Sequence, residues 1–403
     1  VKSNLKNRNL LAHSTDKVRS AVSIANSRFG VVTDNIDYYL YDRNNKEQNF
    51  VEIEFDELIL ALTNPSKIEI NKKDKEVILN IIRRASEKHL SQNKEFYSFI
   101  NSKSFLSLIR FDDKKNSFFF SDDDEGISSF ENQFFIKMMG EFNDKQICRY
   151  TSLNTIFDML NHISFRMSGL VGMNDKSEVN YVDEYLNGNP KPISKEHPNT
   201  IIALNKRYIT SCSEISRKDD LTLWRLYSDD AKGVCLVFNV KKSNLNNHVL
   251  LQKVKYADKD KKHKELDFLK QIKEDVELNT GFKFEFRKIG YWKHFFKPYD
   301  YAIEEEVRLL IIDNDSLDTI KSDFVMTYTH SIINPIMDFR LNSKSFPIKL
   351  TEIILGPKCS EQETNLVQLQ EMIRRKKREV TDKNYDSNLN KLKIELSKIK
   401  HYR

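Results

Sequence analysis

Three glutamates, Glu304, Glu305 and Glu306, stand directly before the run VRLLII in the stretch YAIEEEVRLL, residues 301–310. If the segment is extended, alternation puts Glu304, Glu306 and Arg308 on one face and Glu305, Val307 and Leu309 on the other. Two carboxylates sharing a face are either a solvated edge, with Glu306 and Arg308 neutralising each other, or a site. In a site, one carboxylate can stabilise developing positive charge while the other orients or deprotonates a nucleophile. Taken alone, the charged edge is the simpler reading. Ser211 and Ser213 in ITSCSE also share one face of an extended segment and supply two hydroxyls, a common arrangement on any solvated strand. Arg149 in CRYTS offers a planar guanidinium suited to bidentate pairing with phosphate, or to an ordinary surface ion pair. Tyr150 and Tyr227 can wall a planar ligand or serve as half-buried packing. Trp224 in LWRLY reads as core. Asn174 and Asp175 fall in the turn-like MNDKSE, where an Asx-turn competes with a ligand-covering loop.

Composition removes several alternatives. The chain has only ten glycines in 403 residues, and it carries no G-x-x-x-x-G-K-[ST] loop, G-x-G-x-x-G turn, G-x-S-x-G elbow or H-E-x-x-H pair. Phosphate cradling by a glycine loop is therefore not expected. The nine histidines are scattered, with none four residues from another as a helical metal pair would be. The four cysteines, Cys148, Cys212, Cys235 and Cys359, are widely spaced and read as reduced structural thiols of a cytoplasmic protein. No segment approaches the ~20 consecutive apolar residues of a membrane span, and residues 1–25 lack a signal peptide's apolar run. A formal charge of +6 favours an anionic partner without requiring one.

The elements that must position these residues follow from periodicity. Residues 1–140 read as a separate, mainly helical or mixed domain, with Val77, Ile78, Ile81 and Ile82 forming a helical stripe. Past residue 140 the pattern changes to short strands at residues 147–150, SFRMS, RYITSCS, GVCLVFNV, VLLQKVKY, EVRLLIID and TEIILG. Ser152 caps a helix whose stripe is Leu153, Ile156, Phe157 and Leu160. Many short strands with few helices between them predict an α+β domain over 141–357, built on a largely antiparallel sheet or split barrel. Residues 358–403 read as a basic helix, opened by a Ser360–Glu363 capping box and carrying IRRKKR, followed by an exposed helix or tail.

The segments ICRYTSL, NDKSE, LWRLYSDDAKGVCLVF, EEEVRLL and EIILGP occur in that order over residues 147–357. Together they resemble a bacterial family of unknown function found near phage-defence and toxin genes, and that family in turn resembles ADP-ribosyltransferases. The resemblance implies a split antiparallel sheet, NAD as substrate and ADP-ribose transfer to a macromolecular acceptor, RNA and DNA included. It also implies a toxin or phage-defence effector whose N-terminal domain meets a sensor or antitoxin partner. It places Arg149, Tyr150, Thr151, Ser211, Ser213 and Tyr227 around NAD, with Glu306 stabilising the oxocarbenium ion and Glu304 serving the nucleophile. Arg149, a serine and Glu306 would then converge on one cleft. NAD hydrolysis without an acceptor is the nearest variant. Two readings from other classes stand beside it: a Mg²⁺-dependent nuclease using Glu304, Glu306 and Asp175, and a non-catalytic nucleic-acid-binding module in which Arg149 and Glu306 form a structural pair.

Overall fold

Val307, Leu309 and Ile311 alternate with Glu306, Arg308 and Leu310 along one strand, so a sheet with two differently furnished faces is the natural outcome. The computed structural model describes residues 29–33, 38–42, 50–53, 65–102, 105–112, 114–121, 129–172, 177–188, 206–312, 319–327, 332–379 and 388–400. The chain divides into two compact units, residues 1–81 with 278–281, and residues 82–277 with 282–403. The division thus falls at 81/82, whereas the composition shift near residue 140 had marked the expected boundary.

In the first unit, β1 (Phe29–Thr33), β2 (Tyr38–Asp42) and β3 (Phe50–Ile53) form an antiparallel sheet in that order. With the helix that follows, its described residues are mixed, one of the two expected alternatives. Helix α1 (Pro65–His89) carries the predicted stripe, with Ile78, Ile81 and Ile82 buried.

In the second unit, α2 (Lys94–Ile100), β4 (Ile109–Asp112), β5 (Ser117–Phe120) and α3 (Phe130–Met139) lead into β6 (Gln146–Thr151). Then come α4 (Leu153–His162), β7 (Ser164–Gly169), α5 (Ser177–Asn187) and β8 (Arg207–Glu214). Next are α6 (Leu221–Tyr227), β9 (Val234–Val240), β10 (Val249–Lys253), β11 (Lys255–Tyr256), α7 (Lys264–Thr280) and β12 (Lys283–Glu285). The series closes with β13 (Phe296–Lys297), β14 (Glu306–Ile312), β15 (Thr319–Thr327), β16 (Ile332–Arg340), β17 (Ile348–Leu355), α8 (Gln362–Glu379) and β18 (Lys393–Leu396).

The architecture is mixed α/β, centred on a ten-stranded sheet with the path β15-β16-β7-β8-β6-β9-β17-β18 and a branch in which β8 also pairs β14 and β14 pairs β10. Its pairings are antiparallel except β17 with β18. One face buries Ile147, Leu236, Phe238, Val307, Leu309, Ile311 and Ile353 in the main core. The other holds a smaller cluster of Cys148, Tyr150, Leu223, Trp224 and Cys235. A third assembly is almost wholly aromatic: Phe96, Phe134 and Phe268 meet edge-on or stacked, Phe120 meets Phe284, and Phe135 stacks on Trp292. It ties residues 94–139 to 264–292, and each such ring pair adds about 0.5–1.5 kcal/mol beyond area burial.

Several local expectations hold. Ser152 caps α4, accepting the Thr155 N–H at 3.1 Å, Trp224 is fully buried, and all four cysteines are free and buried. Others need correction. Phe157 lies outside the buried stripe at 53% exposed. Helix α8 starts at Gln362, because Glu361 adopts a left-handed φ of 48°, and the Ser360 carbonyl accepts Asn365 Nδ2. The expected tail contains β18, whose Ile394 and Leu396 pack on the main core. Among the described residues no helix is long and apolar enough to cross a membrane.

Gly233 opens β9 where the chain leaves α6, and an added Cβ would lie 2.2 Å from the Thr151 carbonyl oxygen and 3.1 Å from Ser228 Cβ. Backbone cannot yield as a flexible side chain can. Gly233→Ala is expected to lower unfolding stability by about 1–3 kcal/mol or more, read from urea melts. A change below about 0.5 kcal/mol would show that β6 and the turn before β9 are not held this closely.

Candidate functional site

The sheet splits at β8. On one side β8 pairs β14 continuously, from Glu306 opposite Ser213 to Ile312 opposite Arg207. On its other side it meets β6 only at Ile147–Glu214 and Cys148–Ser213, and β7 only at Ser168–Ile209 and Gly169–Tyr208. Among the described residues, Thr210, Ser211 and Cys212 thus have no strand partner on that side. Beyond Cys148, β6 diverges with β9, where Tyr150 faces Cys235 and Thr151 faces Val234.

Directly paired residues share a face, so Glu306, Ser213 and Cys148 lie on one side, with Arg308 and Ser211. Arg149, one residue on from Cys148, lies on the other. Its Nη1 donates to Thr210 Oγ1, which alternates away from both serines, and its guanidinium sits 5.7 Å from the Phe165 ring centroid. Desolvation lowers the Arg149 pKa, with Cys212 acting in the opposite direction. Among the described residues no carboxylate pairs with it. The expected convergence of Arg149, a serine and Glu306 on one cleft is therefore corrected: the structure brings Ser213 and Glu306 together and sets Arg149 on the opposite face of the sheet from them. The cause is the register of β6 against β8.

The glutamate triplet is also not extended. Residues Tyr299–Glu304 form a 3₁₀ turn, Glu305 is left-handed (φ 42°, ψ 51°), and β14 begins at Glu306. Glu304 and Glu306 nevertheless meet, through a common cation. Lys297 Nζ lies 2.8 Å from Glu304 Oε2 and 2.9 Å from Glu306 Oε2. Arg308 grips Glu306 from the other side, Nε to Oε1 at 2.5 Å and Nη2 to Oε2 at 3.1 Å, while its Nη1 donates to the His294 carbonyl at 2.6 Å. Glu305 turns away and pairs with Arg217 at 3.2 Å.

Tyrosines frame this quartet. The Tyr227 hydroxyl donates to Glu304 Oε1 at 2.5 Å, and the Tyr301 ring lies 4.9 Å from Lys297 Nζ. Tyr256 stands opposite Lys297 in the parallel β11–β13 pair, and its hydroxyl accepts the Glu306 N–H at 2.8 Å. The Glu306 side chain is 3% exposed. Burial pushes its pKa up, but the charges and hydrogen bonds of Arg308 and Lys297 outweigh this and hold it at about 2. Glu306 is thus a fixed negative charge at ordinary pH, suited to electrostatic stabilisation and not to proton transfer.

The remaining expected residues are dispersed. Tyr150 is buried in the smaller cluster, edge-on to Trp224, with its hydroxyl donating to the Arg217 carbonyl at 2.6 Å. Thr151 is half-buried at the end of β6. Ser211 is exposed beside the split and Ser213 is buried. Asn174 and Asp175 lie outside the described residues. A Mg²⁺ ion between Glu304 and Glu306 would compete with the Lys297 ammonium already there. Lys297, Tyr256 and Tyr301 were missed by sequence reasoning; the run KPYDY before the glutamates was the available signal. An open cleft of about 900 Å³, lined by Lys115, Lys273, Lys283, Arg287, Glu277 and Glu285, is formed by other residues altogether.

Residues 223–309 match a family described as a protein of unknown function, DUF2971. No curated protein and no solved structure matches the chain. The matched stretch contains Tyr227, Tyr256, Lys297, Tyr301, Glu304, Glu306 and Arg308, and excludes Arg149, Ser211 and Ser213.

Proposed function

We propose that this protein cleaves the nicotinamide–ribose bond of NAD and transfers ADP-ribose to a macromolecular acceptor. The observation that supports this reading best is the carboxylate pair at the start of β14: Glu306, ionised and directly opposite Ser213, with Glu304 held beside it. A permanently charged carboxylate fits the chemistry, because the ribose acquires positive charge as nicotinamide leaves. The antiparallel branch β10-β14-β8 and the divergence of β6 accord with the split sheet that the sequence resemblance implies. Arg149, a half-buried cation with no carboxylate partner among the described residues, remains suited to a phosphate, but on the opposite face it serves a ligand at the acid pair only if that ligand passes through the split.

Incubation with labelled NAD and separate pools of protein, RNA and DNA tests the proposal. Label should move to one pool, or emerge as free ADP-ribose if water is the acceptor, and the activity should survive EDTA. Intact NAD in every pool overturns the reading. Nucleic acid has no local support in the basic run of α8, where Arg374 and Arg375 both pair with Glu371.

One observation favours a second reading, a non-catalytic module. Glu304, Glu306, Lys297 and Arg308 carry charges that sum to zero and are mostly buried, as a structural network would be. Failure to bind NAD favours that module.

A further inference from the structure

Among the described residues, Tyr256 in the acid cluster has hydrogen-bonding capacity left over, of the opposite sense to the carboxylates. Its hydroxyl oxygen accepts the Glu306 N–H at 2.8 Å, which leaves its own proton without an acceptor among the described residues. A phenol is both donor and acceptor, and a hydroxyl inside a protein ordinarily uses both capacities. The side chain is half-buried, and burial raises its pKa, so the proton stays on the oxygen at ordinary pH.

The position of this unused donor is set by structure on three sides. β11 and β13 pair in parallel with Tyr256 opposite Lys297, so the phenol and the ammonium are presented together. Lys297 in turn touches both carboxylates. The Val254 N–H donates to the Glu306 carbonyl at 2.9 Å, so the chain just before Tyr256 is fastened to the same residue whose N–H the phenol accepts.

Carboxylates only accept hydrogen bonds, whereas Tyr256 has one left to donate. The complementary ligand group donates and accepts at adjacent positions, which is the property of a sugar hydroxyl. A phosphate, accepting only and negatively charged, would be repelled by Glu304 and Glu306. We propose that Tyr256 donates its hydroxyl proton to an oxygen of the ribose that Glu306 engages, making it a specificity-determining residue for the sugar. This inference rests on the NAD reading above and adds a residue and a hydrogen-bond direction to it.

The test compares wild type with Tyr256→Phe, which keeps the ring, on two substrates: NAD and an NAD analogue in which the 2′-hydroxyl of the nicotinamide ribose is replaced by hydrogen. Intact folding is checked by thermal melting. Nicotinamide release is read as kcat/KM for each of the four combinations. The wild type should prefer NAD, and Tyr256→Phe should shrink that preference by about three- to tenfold, the worth of one hydrogen bond between neutral groups. If Tyr256 only holds the Glu306 backbone, both substrates slow equally and the preference is unchanged, which overturns the inference while leaving NAD cleavage standing. If the wild type releases no nicotinamide from NAD, the functional reading itself fails and the inference with it. If Tyr256→Phe does not fold, Tyr256→Leu and Tyr256→Met, which also lack a hydrogen-bond donor, are measured in its place, and a preference unchanged in whichever folds overturns the inference.

Discussion

Glu306→Gln is expected to abolish nicotinamide release, a loss of about a hundredfold to a thousandfold, since a charge-stabilising group is commonly worth ~3–4 kcal/mol in the transition state. The amide keeps the size of the carboxylate and can still accept from Arg308 Nε, but Lys297 and Arg308 would then face a neutral group. Breaking a buried pair in this way costs about 3–5 kcal/mol of stability, so melting must be followed beside activity and the rates compared at a temperature where both proteins are folded. Glu304→Gln should lose transfer to the acceptor yet retain some NAD cleavage by water. Glu305→Gln should do neither, because Glu305 is 42% exposed and pairs with Arg217 at the surface, a contact worth under about 1 kcal/mol. If Glu305 proves essential, or all three prove dispensable, the roles argued for these carboxylates are wrong.

The strands that build the site were legible as short runs rich in β-branched, aromatic and other apolar residues between polar stretches: RYITSCS, GVCLVFNV and EVRLLIID are each a strand. The meeting of Ser213 with Glu306 was legible only as a resemblance, since cross-strand register is not written in either segment. Register also explains the misplacement of Arg149: with Cys148 opposite Ser213, the next residue must face the other way. The extended reading of Glu304 failed for a local reason. Glu305 takes a left-handed conformation that glycine or asparagine usually signals, and a glutamate there gives no warning. Lys297 was passed over because a lone lysine is ordinarily solvated, even beside aromatic residues; its burial depends on β13 lying against β11, two short parallel strands separated by 39 residues of chain from Tyr256 to Phe296. The β18 strand, KIEL, is too short for its alternation to stand out from a lysine-rich surround.

Lys297→Met should destabilise the protein by about 3–5 kcal/mol at pH 7, and the pH dependence of that loss identifies its origin. Methionine preserves the apolar stem, so the change is chiefly the removal of a cation that bridges Glu304 and Glu306. The Glu306 carboxyl lies at about 2 in the folded protein against an ordinary 4.5. A depressed carboxyl stabilises the fold fully above its unfolded pKa, and that contribution disappears as pH falls through the folded value. Here the window runs from about 4.5 down to about 2, and the contribution at neutral pH is about 3 kcal/mol. Without Lys297 the Glu306 carboxyl is held down by Arg308 alone and moves back up, so the variant gains less stability than wild type as pH rises through this window. The difference between the two proteins, measured by urea unfolding at stepped pH, should therefore be largest at pH 5–7 and narrow as pH falls toward and through 2, where the carboxyl of the wild type also takes up its proton. A difference that stays constant across the window would mean that Lys297 acts through packing and its contact with the Tyr301 ring, and that the charge balance assigned to the quartet is incorrect.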